Sequence, residues 1–296
     1  MRLCRFNNDR LGVVLGEAVH DITSLQTEIR AAADFLMKGD PVVAALPMMR
    51  ERFLDEAARQ PGIPFDRVVL LAPVARPSKL VAAPSNYHSH IAEMGTGVKP
   101  GSRHAGKIEQ DGLFLKATSA LVGPSEGVPR RFPERRTDHE LELVIIIGKQ
   151  GTDIAAADAL NHVAGFSLGL DMVVRGPEDR SFRKSCDGYA VLGPWLVSAD
   201  EIPDPNALPL QLRVNGETRQ QTNTNKLIFN VARLIEFASS FYTLYPGDCI
   251  YTGTPEGVGP VQPGDIITVE CPAIGRMEVA VRAHSPTEQA QTGNSR

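Results

Sequence analysis

The apolar positions of the chain change their spacing several times, and each change marks an element. Residues 1 to about 22, MRLCRFNNDRLGVVLGEAVHDI, alternate and turn as short antiparallel strands do, with Asn7, Asn8 and Asp9 as the turn. Residues 23 to 60 are richer in Ala, Leu, Met, Glu and Arg and predict one or two helices, with Thr23 or Ser24 as N-cap. A proline-dense stretch from 60 to 79 reads as an extended connector. Beyond it strands and turns dominate. In TDIAAADALNHVAGFSLGLDM the Ala-rich first part predicts a helix capped by Thr152 or Asp153, and the second part a strand ending near Asp171. Val231, Leu234, Ile235 and Ala238 fall at i, i+3, i+4 and i+7, one face of a helix over 230–244. YPGD (245–248) and QPGD (262–265) each introduce a strand. Residues 95–112 are polar and glycine-rich and read as a surface loop or lid, and the polar tail from Ser285 as frayed. The pattern is that of an α+β chain, mainly β. A small α+β unit covers residues 1–75, a larger unit 76–284, and a tail 285–296.

One strand stands out. In DHELELVIIIG (138–148), Asp138, Glu140 and Glu142 fall on one side by the strand period of two, directly before Val144, Ile145, Ile146 and Ile147. Two residues along a strand span roughly 7 Å. Two carboxylates there repel by about 2 kcal/mol at an effective dielectric near 20. Either both face water, as on a solvated edge strand, or one is protonated, or a cation lies between them. The apolar run speaks against the solvated edge, and so does Asp171, which needs a partner inside the apolar stretch FSLGLDMVVRG. Two glutamates and an aspartate are hard oxygen donors of the kind that Mg²⁺ or Mn²⁺ accepts. Asp138 is expected to be solvated, with a role as outer acceptor for such a site as the alternative.

Composition narrows the function classes. Of the 296 residues 42% are hydrophobic and 22% charged, ordinary for a soluble protein. A formal charge of −4 and a pI near 6.0 offer no basic footprint for nucleic acid. Cys4, Cys186, Cys249 and Cys271 make neither a C-x-x-C pair nor a zinc-ribbon spacing and read as reduced thiols. No apolar run approaches the roughly 20 residues of a membrane span, and MRLCRFNNDR lacks the apolar core of a signal peptide. The expectation is a cytoplasmic protein with a small-molecule partner.

Four motifs in order carry a family resemblance. They are the E-x-E of DHELELVIIIG, an aspartate 29 residues after Glu142, a lysine in RKSCDGYAVLGPW, and YTGTPEGVG. Over about residues 78 to 283 the chain resembles the fumarylacetoacetate hydrolase family, and its N-terminal segment resembles the small domain of many bacterial members. The resemblance implies a mixed β-sandwich or roll, usually a homodimer, in which Glu140, Glu142 and Asp171 bind one divalent cation, commonly Mg²⁺.

The resemblance also implies roles for other side chains. NYHSHIAEM (86–94) matches N-Y-x-x-H-x-x-E and places His90 and Glu93 in the positions of a His–Glu dyad. Residues i and i+3 share a helical face, and an imidazole titrates near neutral pH, which suits a base that deprotonates water. A surface helix with an incidental His and Glu is the plainer reading of that string alone. Lys184 matches a lysine that holds the substrate's developing negative charge. Lys116 and Thr254, the latter in TGTPEGVG, match further substrate positions. Arg175 is retained, whereas Gly176, Pro177 and Glu178 depart from the Arg-Asp-x-Gln of many relatives, and Cys186 replaces a commonly aromatic residue. Those departures leave the substrate open.

The implied function is metal-dependent hydrolysis of a C–C bond in a β-diketo (2,4-dioxo) acid such as an acylpyruvate or fumarylpyruvate, in catabolism of aromatic or related compounds. Decarboxylation or isomerisation of oxo-dicarboxylates and dehydration of sugar acids are the alternatives within the family. A non-catalytic protein that keeps only the fold is the reading from another class. Retention of His90, Glu93, Lys184 and all three carboxylates speaks against it.

Overall fold

The computed structural model describes residues 1–95 and 108–284. The expected lid at 95–112 therefore lies outside the described residues except at its ends, where Ile108–Asp111 is one helical turn with Ile108 buried. The tail at 285–296 lies outside them altogether.

The strand Leu141–Ile147 is buried along its whole length and sits in the middle of the molecule. Its side chains alternate between two apolar clusters, as a pleated strand covered on both faces must. Leu141, Leu143, Ile145 and Ile147 pack on one side with Trp195, Ile267, Val269 and the helix residues Leu234 and Ile235. Val144 and Ile146 pack on the other with Leu3, Val43, Leu46 and Phe53. The long sheet is thus the middle layer. A five-stranded sheet that includes Pro209–Val214, Glu217–Asn223 and Ile266–Cys271 lies on one face, and N-terminal helices lie on the other.

Among the described residues the long sheet has 12 strands. Leu141–Ile147 runs antiparallel to Val163–Asp171 on one side and Cys249–Tyr251 on the other. Cys249–Tyr251 pairs parallel with Leu80–Ala82, which makes the sheet mixed. Thr137–His139, Val173–Val174 and Gly259–Pro260 form a small separate sheet beside it.

The N-terminal hairpin strands Arg2–Phe6 and Arg10–Leu15 continue the long sheet, since Leu3 pairs with Leu196 of the strand Ala190–Ser198. Residues 23 to 60 make two helices, Thr23–Ala32 and Pro41–Arg59. Ile22 rather than Thr23 or Ser24 is the first cap, because the Asp21 carboxylate already accepts from the Thr23 N–H at 2.8 Å. Asp40 caps the second helix through Val42 N at 2.9 Å, and its other oxygen accepts from Ala75 N at 2.7 Å. One buried carboxylate therefore ties the helix to the connector.

Two helix expectations need correction. The Ala-rich segment is the 3₁₀ helix Ala156–His162, and neither Thr152 nor Asp153 caps it. Asp153 N and Ile154 N are instead bound to Ser239, at 3.0 and 2.9 Å, with Asp153 at φ 49°. Anchoring the chain there leaves too few residues for a longer helix before the next strand. The helix expected over 230–244 is Val231–Ser239, capped by Asn230, and its four spaced apolar residues are all buried. No helix among the described residues is long and apolar enough to cross a membrane.

Candidate active site

Antiparallel register brings the acidic residues together. Glu142 lies opposite Gly169, and the Asp171 N–H donates to the Glu140 carbonyl at 2.9 Å. The carboxylates of Glu140, Glu142 and Asp171 converge, with one candidate ligand atom from each lying within 4.8 Å of the others. All three are buried.

Two buried ammonium groups partly balance them. Lys184 Nζ donates to Glu140 Oε2 and Asp171 Oδ2, both at 2.5 Å. Lys116 Nζ donates to Asp171 Oδ1 and to the Tyr189 carbonyl, the latter at 2.8 Å. The titrations follow from this unequal sharing. Burial pushes the Asp171 pKa up, but Lys116 and Lys184 outweigh it and hold the carboxyl below its ordinary value. Burial lowers the Lys184 pKa, and Asp171 and Glu140 more than reverse it. At Lys116 burial prevails and the pKa falls. Among the described residues Glu142 receives the Gly253 N–H alone, at 2.6 Å; burial first, then the Asp171 charge, push it well above the ordinary carboxylate range.

The donor set fits a divalent ion. Three buried carboxylates converge, all their donors are hard oxygens, and among the described residues no cation touches Glu142, whose raised pKa marks a carboxylate that lacks a compensating charge. A divalent ion there would supply it and would leave the site more positive towards an anionic substrate.

Asp138 is not solvated, contrary to the expectation. It is fully buried, and its oxygens accept from Arg136 Nε at 2.6 Å and Arg175 Nε at 2.7 Å. The chain changes sheets at Glu140, since Thr137–His139 belongs to the small sheet and Leu141–Ile147 to the long one. A single strand period across 138–142 therefore misplaces Asp138. Its carboxylate instead holds Arg175 beside the triad, where the guanidinium reaches Glu140 Oε1 at 3.4 Å.

The dyad residues sit on the helix His88–Gly95. His90 Nδ1 lies 3.4 Å from Glu93 Oε2. A carboxylate only accepts, so Nδ1 carries the hydrogen, and in the neutral imidazole Nε2 presents a lone pair. The other Glu93 oxygen accepts from Gly257 N at 3.1 Å. His88 is exposed and lines a surface pocket with Asn225, Lys226 and Glu256.

The loop 252–259 joins dyad to triad. Gly257 holds Glu93, Gly253 holds Glu142, and Thr254 lies buried between them. Gly253 has φ +99°, and a Cβ there would lie 2.7 Å from Asn86 Cβ, so glycine is required on both counts. Asn86 fixes the entry to the dyad helix, donating to the Phe229 and Thr252 carbonyls at 3.0 and 2.8 Å.

Three site residues had no assigned role in the sequence reading. Asn86 lies inside the matched N-Y-x-x-H-x-x-E string, so a signal existed. His139 and Gln220 had none. Both are buried, and their side chains meet at 3.1 Å.

Comparison with known proteins gives the family. Residues 79–282 match the fumarylacetoacetate (FAA) hydrolase C-terminal family. The maleylpyruvate hydrolase of Aquipseudomonas alcaligenes is 48% identical over 289 residues, 96% of this chain and 100% of the relative. A mitochondrial oxaloacetate tautomerase of Bos taurus is 37% identical over 251 residues, 82% of this chain and 75% of the relative. The crystal structure of maleylpyruvate hydrolase from Sphingobium sp. SYK-6, in complex with manganese(II) and pyruvate, superposes with a TM-score of 0.79 at 38% identity, covering 96% of this chain and 100% of that one. The chain belongs to the fumarylacetoacetate hydrolase family.

Proposed function

We propose that the protein is a metal-dependent hydrolase that cleaves the C–C bond of an acylpyruvate-type 2,4-dioxo acid, with maleylpyruvate as the leading substrate. The observation that carries this reading is the single loop, 252–259, that fixes both Glu93 of the dyad and Glu142 of the carboxylate triad. Water and the acylpyruvate give a carboxylic acid and pyruvate. A divalent cation held by Glu140, Glu142 and Asp171 would supply the positive charge that polarises the 2-oxo acid end. His90 Nε2 takes the proton of the water that attacks the distal carbonyl, and Glu93 steadies the imidazolium. Breaking the C–C bond leaves the electron pair on the pyruvate fragment as an enolate, whose charge faces Lys184. Lys116, Arg175 and Thr254 complete the cationic and hydroxyl lining for the carboxylate.

Mg²⁺ is the ion we favour, with Mn²⁺ also suited to the oxygen donors. The family resemblance supports a homodimer. The four free thiols fit a reducing compartment such as the cytoplasm.

A second reading, enol–keto or decarboxylating chemistry on an oxo-dicarboxylate, draws on the tautomerase relative. It uses the same enolate site without a water nucleophile. Incubation of the metal-loaded protein with maleylpyruvate, other acylpyruvates and oxaloacetate, with products identified by mass and the enol followed by its ultraviolet absorbance, separates the two. We expect maleate and pyruvate from maleylpyruvate. Turnover of oxaloacetate alone would overturn the hydrolase.

A further inference from the structure

The Gln220 side chain lies between the metal-binding strand and the loop 252–259, and its orientation is fixed by its neighbours. Oε1 accepts from the Leu141 N–H at 2.9 Å, and Nε2 faces the Pro255 and Glu256 carbonyls at 3.1 and 3.4 Å. A backbone N–H can only donate and a carbonyl can only accept, so the flipped amide would meet like groups at both ends. Two consequences follow. His139 Nδ1, at 3.1 Å from Oε1, must carry a hydrogen and donate it. Nε2 must donate to Thr254 Oγ1 at 2.8 Å. That N–H occupies a lone pair of the hydroxyl, so the hydroxyl hydrogen points away from Gln220.

We propose that Gln220 is a positioning residue that aims the Thr254 hydroxyl hydrogen at the carboxylate of the bound oxo acid. The proposal rests on the reading of Thr254 as a substrate contact. Gln220 touches neither the triad carboxylates nor the dyad. It acts through Thr254, and through Leu141 it ties the loop's register to the segment that carries Glu140 and Glu142. Without its N–H the Thr254 hydroxyl is free to donate to the Pro255 or Glu256 carbonyl, and the substrate loses a donor. The inward-facing positions of Glu217–Asn223 are Gln220 and Thr222, so the strand buries polar groups where a merely structural strand would bury apolar ones.

The test is a double-mutant cycle on pyruvate binding to the Mn²⁺-loaded protein, followed by titration calorimetry. Thr254→Val and Gln220→Met should each weaken pyruvate about tenfold, the share of one hydrogen bond to a charged group. The double variant should lose no more than the weaker single variant, because the two changes remove the same contact. Thr254→Ser should bind as wild type does. Mn²⁺ affinity without pyruvate should stay within about threefold throughout, on the scale of experimental coupling between separate sites.

Multiplicative losses in the double variant, or a Gln220→Met variant within about twofold of wild type, well under one hydrogen bond, would overturn the role of Gln220 alone. Unchanged binding in Thr254→Val, or no pyruvate binding by the wild type, would overturn the substrate reading and this role with it. Should Gln220→Met not fold, Gln220→Glu keeps the acceptor for Leu141 and His139 and removes the donor. It is held to the same non-additivity.

Discussion

Replacing His90 with alanine is expected to lower kcat for maleylpyruvate by roughly 10²–10⁴, the usual share of a positioned base. Metal binding should persist, because the carboxylates that would hold the ion lie outside the helix that carries His90. Glu93→Gln should lose less, since the imidazole stays but is oriented less firmly; its contact with Glu93 is long, at 3.4 Å, and would tighten in the complex. Steady-state kinetics with and without saturating Mn²⁺ measures both. A His90→Ala enzyme within about fivefold of wild type, far below a base's share, would remove water activation from the account and favour decarboxylation. Tautomerisation also moves a proton, so this substitution does not separate it from hydrolysis.

The second large effect concerns Glu142. Glu142→Gln keeps the shape and the Gly253 contact but removes a charge from a buried triad. Mn²⁺ affinity should fall by more than the 10–100-fold typical of a residue that only supports a ligand. Activity should fall with it, and chelation of the wild type should give the same loss, reversed by Mg²⁺ or Mn²⁺. Thermal unfolding gives an independent readout. Without metal, burial and the like charges of Asp171 and Glu140, whose carboxylates lie within 4.8 Å, disfavour an ionised Glu142, a cost that the glutamine does not carry. The metal-free glutamine variant should therefore be at least as heat-stable as the metal-free wild type. The wild type should gain stability on adding Mn²⁺, and the variant should gain little. A variant that still gains as much would remove Glu142 from the ligand set.

Sequence and structure agree where chemistry and burial conflict openly. Glu140, Glu142 and Asp171 were legible because carboxylates lie against apolar runs, and such charges need a partner. The helix Val231–Ser239 was legible because its four apolar residues repeat at helical spacing. Asp138 was misplaced because a strand period was carried through a point where the chain passes between sheets. The 3₁₀ helix Ala156–His162 was misjudged because alanine content reports propensity, while the bonds to Ser239 that shorten the element are tertiary. Gln220 left no trace, since GETRQQTN reads as a uniformly polar strand. Its inward face is polar, so alternation of hydrophobicity cannot reveal which side is buried.

The most direct measurement is the fate of solvent oxygen. Maleylpyruvate is turned over by the Mg²⁺-loaded enzyme in H₂¹⁸O, and the products are weighed by mass spectrometry. Hydrolysis puts one ¹⁸O into the maleate carboxylate, which does not exchange it back during the assay, and releases pyruvate in equal amount. Consumption of the substrate with carbon dioxide release or a change of tautomer, and no ¹⁸O-labelled maleate, would contradict hydrolysis.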